Sequence, residues 1–414
     1  MKVFIIAGEA SGDKLGAELM KGLQHLVGKQ VQFAGLGGSG MIGQGLTSLF
    51  PMDQISIMGI GEILTQYHAL KRRIQQTVEA VLQFQPDVLI TIDLPEFNLR
   101  VAQKVKARSS IRTVHYVAPT VWAWRPKRAE KMAPYIDQVL ALFPFEPPYM
   151  RAAGMRCDFV GHPVVTNPQA TPSEIAVFRK THNIEGAPLL LVLPGSRRSE
   201  VRRLLPIFRG AVAALIRQHP ALRVVVPTVS AVESQVRTTV ADWPGEPIVV
   251  GPNAATATRT QTQTLAHLVE TAHRDKRAAF AAADVALAAS GTVSLELAAA
   301  ATPMVIAYDM AWLSRQIISR MLRVDTVTLV NLVSETRVVP EFIGANCRPD
   351  KIVPALCALL SNPEAQHSAM QCTMAKLGQG DTKPGIRAAQ ATLSGLGASN
   401  GEGSAVPDRS GIQR

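Results

Sequence analysis

The chain has 414 residues, 47% apolar and 18% charged, an ordinary globular composition that excludes a disordered or collagen-like protein. At roughly 100–200 residues per domain it holds two or three domains. The net charge of +11, from 43 Lys and Arg against 32 Asp and Glu, makes a surface that attracts anions, so nucleic acid, anionic lipid and phosphorylated substrates all stay open.

Cys157, Cys347, Cys357 and Cys372 have no CxxC spacing. Neither a disulfide framework nor a zinc knuckle is expected, and a reducing cytoplasm fits. The nine His form no HxxxH or HExxH pair, so no metal and no other cofactor is expected. Glu9 ends the apolar run after Lys2 too soon for an export signal. The most apolar region, Ala278 to Tyr308, is broken by Asp284 and Glu296, short of the about 20 residues a spanning helix needs.

In chain order, KVFIIAG reads as a buried strand, EASGD as a small polar loop and KLGAELMKGLQHL as an amphipathic helix. VQFAGLGGSG, a helical stretch through Val81, then VLITIDL, RTVHYVA and QVLALF continue the alternation. The pattern restarts after the Pro/Thr-rich stretch Val165–Glu174 with PLLLVLPGS, a strong helix from Glu200, then LRVVVPT, PIVVG, DVALAAS and PMVIAY. Continuous apolar strands alternating with helices predict parallel sheets covered on both faces. The expected fold is therefore α/β, with Rossmann-like domains over residues 1–165 and 166–348. Helices over 349–393 would pack back across them, and a disordered tail would occupy 394–414.

Ligands of open parallel sheets bind at the carboxyl ends of the strands, and four loops there hold the informative residues. Glu9, Ser11 and Asp13 stand among Gly8 and Gly12, as substrate contacts or as helix caps. Asp93 ends a buried strand, where desolvation raises a carboxyl toward general-base range, or else caps the following turn, with Glu96 and Asn98 in the same loop. Gly195, Ser196, Arg197 and Arg198 join a strand to a helix, pointing free N–H groups and guanidinium charge at a site suited to a diphosphate. Ser290, Gly291 and Thr292 repeat that geometry, with Glu296 one turn on as an acceptor for a ribose diol or as a cap partner.

The run Gly35–Gly40 fits GxGxxG but follows the second strand and has no acidic partner about 20 residues on. It reads as a flexible loop lining a cleft and not as a nicotinamide site. Trp122 and Trp124 share a loop with Arg125, either as core or for use at a surface. Two basic amphipathic stretches fit an anionic membrane surface or ordinary core-facing helices: Ile55–Arg73, with Met58, Ile60, Ile63 and Leu64, and Trp312–Arg323. Dispersed basic residues and 5% aromatics argue against a nucleic-acid-binding module.

The ordered set AGEASGD, ISIMGIGEIL, IDLPEFN, HYVAPTVWAWRPKR, FVGHP, LPGSRRSEV, ASGTVSLE and VNLVSE resembles the lipid-A-disaccharide synthases from the first strand to about Glu335, and more weakly to about residue 390. That resemblance implies an inverting glycosyltransferase with two Rossmann-like domains facing a cleft (GT-B type). Its substrates would be UDP-2,3-diacylglucosamine and 2,3-diacylglucosamine 1-phosphate (lipid X). It would work in the cytoplasm, peripherally on the inner face of the cytoplasmic membrane. It further implies Asp93 as general base, Arg197 and Asn331 as residues needed for activity, and Glu296 in the UDP site. With acylated substrates, the apolar residues read above, Trp122, Trp124, Met58, Ile60, Ile63 and Leu64, are expected near membrane or acyl chains. The family is associated with an intertwined dimer, which these residues do not themselves signal. The Thr-rich stretch within Pro252–Arg277 is longer than the family's and reads as a mobile flap. A UDP-sugar epimerase of the same fold and a nicotinamide oxidoreductase are the competing readings.

Overall fold

The structure, a computed structural model, describes residues 1–28, 30–56, 63–125, 127–252, 265–310 and 324–401. It divides into two compact units, residues 1–163 with the chain from Gly380 onward, and residues 164–379. The change of unit falls at Pro163/Val164.

The first unit is built on seven strands, β1 Lys2–Ala7, β2 Gln32–Leu36, β3 Thr47–Ser48, β4 Val88–Ile92, β5 Arg112–Tyr116, β6 Gln138–Ala141 and β7 Arg156–Phe159. Their order is β3-β2-β1-β4-β5-β6-β7, and every pairing is parallel. Parallel pairing forces each crossover onto a face of the sheet, so the central strands are covered on both sides and read as largely apolar runs. Phe4, Ile6 and Leu89 pack on one face against Val78, Val81, Phe97 and Val101 of the Ile63–Phe84 and Pro95–Lys106 helices. Thr91 interrupts the apolar run of β4 because its hydroxyl bonds the Val114 carbonyl (3.2 Å) and His115 Nδ1 (2.8 Å) on β5.

The last helix, Pro384–Gly401, belongs to this unit and packs on the Ala10–Val27 helix. Gly22 and Gly385 permit that approach: a Cβ on Gly22 would lie 2.5 Å from the Gly385 carbonyl oxygen, and one on Gly385 2.7 Å from that of Glu18. Gln138 Nε2 donates to the Ala391 carbonyl (2.9 Å), and the Arg387 guanidinium lies 5.0 Å from the centre of the Phe159 ring. The helix runs to Gly401, past the Leu393 limit expected from its Gly, Ser and Asn content.

The second unit carries β8 Leu189–Leu193, β9 Arg223–Pro227, β10 Ile248–Val250, β11 Val285–Ala288, β12 Met304–Tyr308 and β13 Glu341–Ile343, all parallel, in the order β10-β9-β8-β11-β12-β13. Its core joins Leu190 and Val192 of β8 to Val201, Leu204, Phe208 and Val212 of the Arg198–Gln218 helix, and to Ile352 and Leu356 of the Pro349–Ser361 helix. The Pro349–Ser361 and Glu364–Lys376 helices stay with this unit, so the helices expected as one C-terminal group divide near Gly380. Residues 265–277 of the expected flap form part of the Leu265–Ala282 helix, and the Thr-rich residues 253–264 lie outside the described residues. Among the described residues no helix is long and apolar enough to cross a membrane.

Candidate functional site

Each sheet has a point where successive connections leave in opposite directions, and a crevice opens there at the carboxyl ends of the strands. In the second unit β8 lies between β9 and β11, so the loops after β8 and β11 diverge. They enclose a pocket of about 460 Å³, within the size range of small-molecule sites. Gly195, Ser196, Arg197, Ser290, Gly291, Thr292 and Glu296 all line it.

The first loop turns at Gly195, whose φ of +105° suits glycine, and a Cβ there would meet the Glu200 carboxylate at 2.8 Å. Arg197 is the N-cap residue of the Arg198–Gln218 helix. Its backbone N–H donates to Glu200 Oε2 (3.3 Å) and its guanidinium to Oε1 (3.2 Å), while its side chain remains 78% exposed. Glu200 thus braces the loop, and the guanidinium keeps most of its donors for a ligand. The second loop opens the short Val293–Ala299 helix without a side-chain cap from Thr292. Glu296 is neither buried nor a cap partner: its Oε2 accepts a hydrogen bond from Lys276 Nζ at 2.7 Å, and its side chain is 39% exposed. Lys276 and Phe280 line the same pocket and were missed in the sequence. Their i, i+4 spacing just upstream of β11 was the available signal.

In the first unit the corresponding point lies between β1 and β4, where Ala7 pairs with Ile92 and the loops beginning at Gly8 and Asp93 part. Asp93 and Leu94 both have left-handed backbone, with φ of 49° and 43°. Asn98, fully buried, holds this elbow by donating from Nδ2 to the carbonyls of Ile92 (2.9 Å) and Asp93 (2.7 Å), while the Asp93 N–H donates to Tyr116 O (2.9 Å). Burial lifts the Asp93 carboxyl above its ordinary 3.8, against a smaller lowering by the Leu94 N–H. Glu96 does not share this environment: it is exposed and ion-paired with Arg100 and Arg128.

The three residues expected to meet a ligand on the loop after β1 differ in environment. The helix after β1 starts at Ala10 with Glu9 as N-cap, and Glu9 and Ser11 are exposed. Asp13 is buried and its carboxylate accepts three backbone N–H bonds, from Gly38 (2.8 Å), Gly40 (2.8 Å) and Met41 (3.0 Å). Most of its accepting capacity is thus spent on the backbone of the neighbouring loop. The same bonds correct the reading of Gly35–Gly40 as a flexible loop. The Gly38 and Gly40 N–H groups, which a dinucleotide phosphate would need, are already occupied by a carboxylate, and that of Gly37 donates to Ser48 Oγ (3.3 Å).

Asn331 does not line the pocket. It is buried, its Nδ2 donates to Thr326 Oγ1 (3.2 Å) and the Val339 carbonyl (2.9 Å), and its Oδ1 accepts from the Val339 N–H (3.0 Å). Its amide fixes the approach to β13.

Trp122 is half-buried, edge-on to Phe145 (5.1 Å between centroids), which stacks on Phe143 at 5.3 Å. Glu146 Oε2 holds this turn by accepting the N–H groups of Leu142 and Phe143, both at 3.0 Å, and burial pushes its carboxyl up to about 8. Trp124 is exposed, with the Arg125 guanidinium 4.4 Å from its ring centre. Met58 and Ile60 lie outside the described residues, as does the stretch from residue 312 to 323, and Ile63 and Leu64 are described only in their helical backbone. Among the described residues no three His, Cys, Asp or Glu side chains are grouped to hold a metal.

The chain matches the family described as lipid-A-disaccharide synthetase over residues 3–244 and 249–391. It is 58% identical to the lipid-A-disaccharide synthase of Ruegeria pomeroyi, over 96% of both chains, and 44% identical to that of Rhodospirillum centenum, over 94% of both. Among solved structures it resembles the S. aureus MnaA–UDP co-structure (TM-score 0.60, 11% identity, 99% of this chain and 100% of that one). It also resembles a UDP-GlcNAc 2-epimerase from Neisseria meningitidis bound to UDP-GlcNAc (TM-score 0.55, 11% identity, 96% and 100%). At such identities these two likenesses concern the fold alone.

Proposed function

Because the chain belongs to the lipid-A-disaccharide synthetase family, we propose that its second unit holds the UDP of a UDP-sugar donor in the pocket between the β8 and β11 loops, and that Asp93 activates the acceptor. The reaction is the condensation of UDP-2,3-diacylglucosamine with lipid X to a β-1,6-linked lipid A disaccharide 1-phosphate and UDP. The observation that carries the residue assignment is the pocket itself. It sits at the switch point of the sheet, with an exposed guanidinium on one loop and a carboxylate one turn into the helix after the other.

Asp93, its carboxyl raised by burial, removes the proton from the acceptor's primary hydroxyl. The oxygen then forms a bond to the anomeric carbon on the face opposite UDP. The bond to the diphosphate breaks with its electron pair going to UDP, and the configuration inverts. General-base help of this kind contributes roughly 10²–10⁴-fold. Arg197 and the backbone N–H groups of Ser196 and Ser290–Thr292 stabilise charge growing on the leaving diphosphate, and Glu296 accepts the ribose hydroxyls. Such fixed donors carry the charge without a divalent ion, so turnover is expected to persist in EDTA.

The substrates are acylated, so the reaction belongs at a bilayer surface. The +11 charge supports peripheral docking on an anionic membrane, with Trp124 and Arg125 as one exposed aromatic and cationic point of contact. A homodimer is part of the same reading. The test of the residue assignment is Asp93→Asn, which is expected to keep UDP affinity and to lower kcat by about two orders of magnitude or more. Near-normal turnover would remove Asp93 from the base role.

A further inference from the structure

Four charged side chains line the pocket of the second unit, and they stand in two pairs, Arg197 with Glu200 and Lys276 with Glu296. The first pair is unequal, with the carboxylate 14% and the guanidinium 78% exposed, as expected of a brace and a free ligand group. The second is balanced, at 41% and 39%. An ion pair that exposed adds little to stability, so its presence in the pocket calls for another use.

The geometry confines Lys276. Its ammonium lies 5.1 Å from the centre of the Phe280 ring one turn along its own helix, and it donates to Glu296 Oε2 at 2.7 Å. Oε1 of Glu296 has no partner among the described residues. We propose that Lys276 is a positioning residue that sets ribose selectivity: it pins one oxygen of Glu296 so that the other is presented to the vicinal hydroxyls of the nucleoside diphosphate. The proposal rests on the reading of this pocket as the UDP site. It gives the site a means of preferring a ribonucleotide over its deoxy analogue. A hydroxyl bonded to a carboxylate is worth roughly tenfold or more in affinity, and a carboxylate free to rotate forfeits much of that through lost orientation.

Calorimetric titration of UDP and 2′-deoxy-UDP into the wild type, Lys276→Met, Lys276→Arg, Glu296→Gln and the Lys276→Met/Glu296→Gln double variant tests it. The wild type is expected to prefer UDP by roughly tenfold or more. Lys276→Met and Glu296→Gln should each reduce the preference to within about threefold, and the double variant should lose no more than either single one. Lys276→Arg should restore most of it, which loss of packing would not explain. If Lys276→Met weakens both nucleotides equally, Lys276 serves the diphosphate and the proposal fails. If UDP binds and Lys276→Met changes nothing, the proposal fails and the UDP site stands. If the wild type binds neither nucleotide, the UDP site fails and the proposal with it.

Discussion

Two successive left-handed residues, Asp93 and Leu94, cost roughly 1–3 kcal/mol each. Asn98 and the bond from Asp93 N–H to Tyr116 O hold that conformation, which keeps the carboxyl at the mouth of the sheet and partly out of water. The consequence is a pH profile. As the base, Asp93 must be ionised, so kcat/KM should fall as pH drops through its raised pKa, and that acid limb should lie above the ordinary Asp value of 3.8. The limb should vanish from the residual activity of Asp93→Asn. Asp13 makes the opposite kind of prediction. Asp13→Ala strands the N–H groups of Gly38, Gly40 and Met41 and should cost the first unit about 2–4 kcal/mol in urea unfolding, leaving UDP affinity unchanged. Glu146 adds a titration of stability. Its pKa is about 8 in the fold and near 4.5 when unfolded, so the native state holds a proton that the unfolded chain releases between those values. Stability should decline across that window as pH rises, and Glu146→Gln should flatten the decline relative to wild type. The residues that end buried strands, Asp93 and the 195–197 and 290–292 loops, were legible because strand ends in parallel sheets have a fixed use. The partners of Asp13 and Asn331 were not: in one dimension nothing links a carboxylate to the N–H groups of Gly38, Gly40 and Met41, or an amide to Val339.

The elements that pattern reading found are the central strands, β1, β4, β5 and β8 among them, because burial on both faces selects mostly apolar residues, with Thr91, Thr113 and His115 as buried polar exceptions. It missed β3, β7 and β13, each at the edge of its sheet. RCDF in β7 alternates charged and apolar residues, and EFI in β13 is only half-buried, so neither produces a continuous run. Composition likewise misplaced the end of the Pro384–Gly401 helix, because small residues serve there as a packing surface and not as a linker. Gly385→Val decides this point. The backbone oxygen of Glu18, 2.7 Å from the new Cβ, cannot rotate aside as a side chain would. The clash of about 1–3 kcal/mol outweighs the gain of a few tenths from replacing glycine in a helix. The variant should lower the unfolding midpoint of the first unit and leave UDP binding in the second intact.

At the scale of the whole molecule, a +11 chain that handles acylated sugars should sediment with anionic liposomes at low salt and release as salt rises, since each Lys or Arg near such a surface is worth about 1 kcal/mol. Indifference to lipid charge would leave the acylated substrates without an electrostatic route to the protein. The two-sheet fold is shared with a UDP-GlcNAc 2-epimerase at 11% identity, so fold alone does not choose the reaction. An acceptor does. The most direct measurement is mass spectrometry of the lipid formed when the protein is incubated with UDP-2,3-diacylglucosamine, with and without lipid X. The expected result is a disaccharide 1-phosphate that appears only with lipid X and falls by about two orders of magnitude in Asp93→Asn. A UDP-sugar altered without any acceptor, or a disaccharide formed equally well by that variant, would contradict the account.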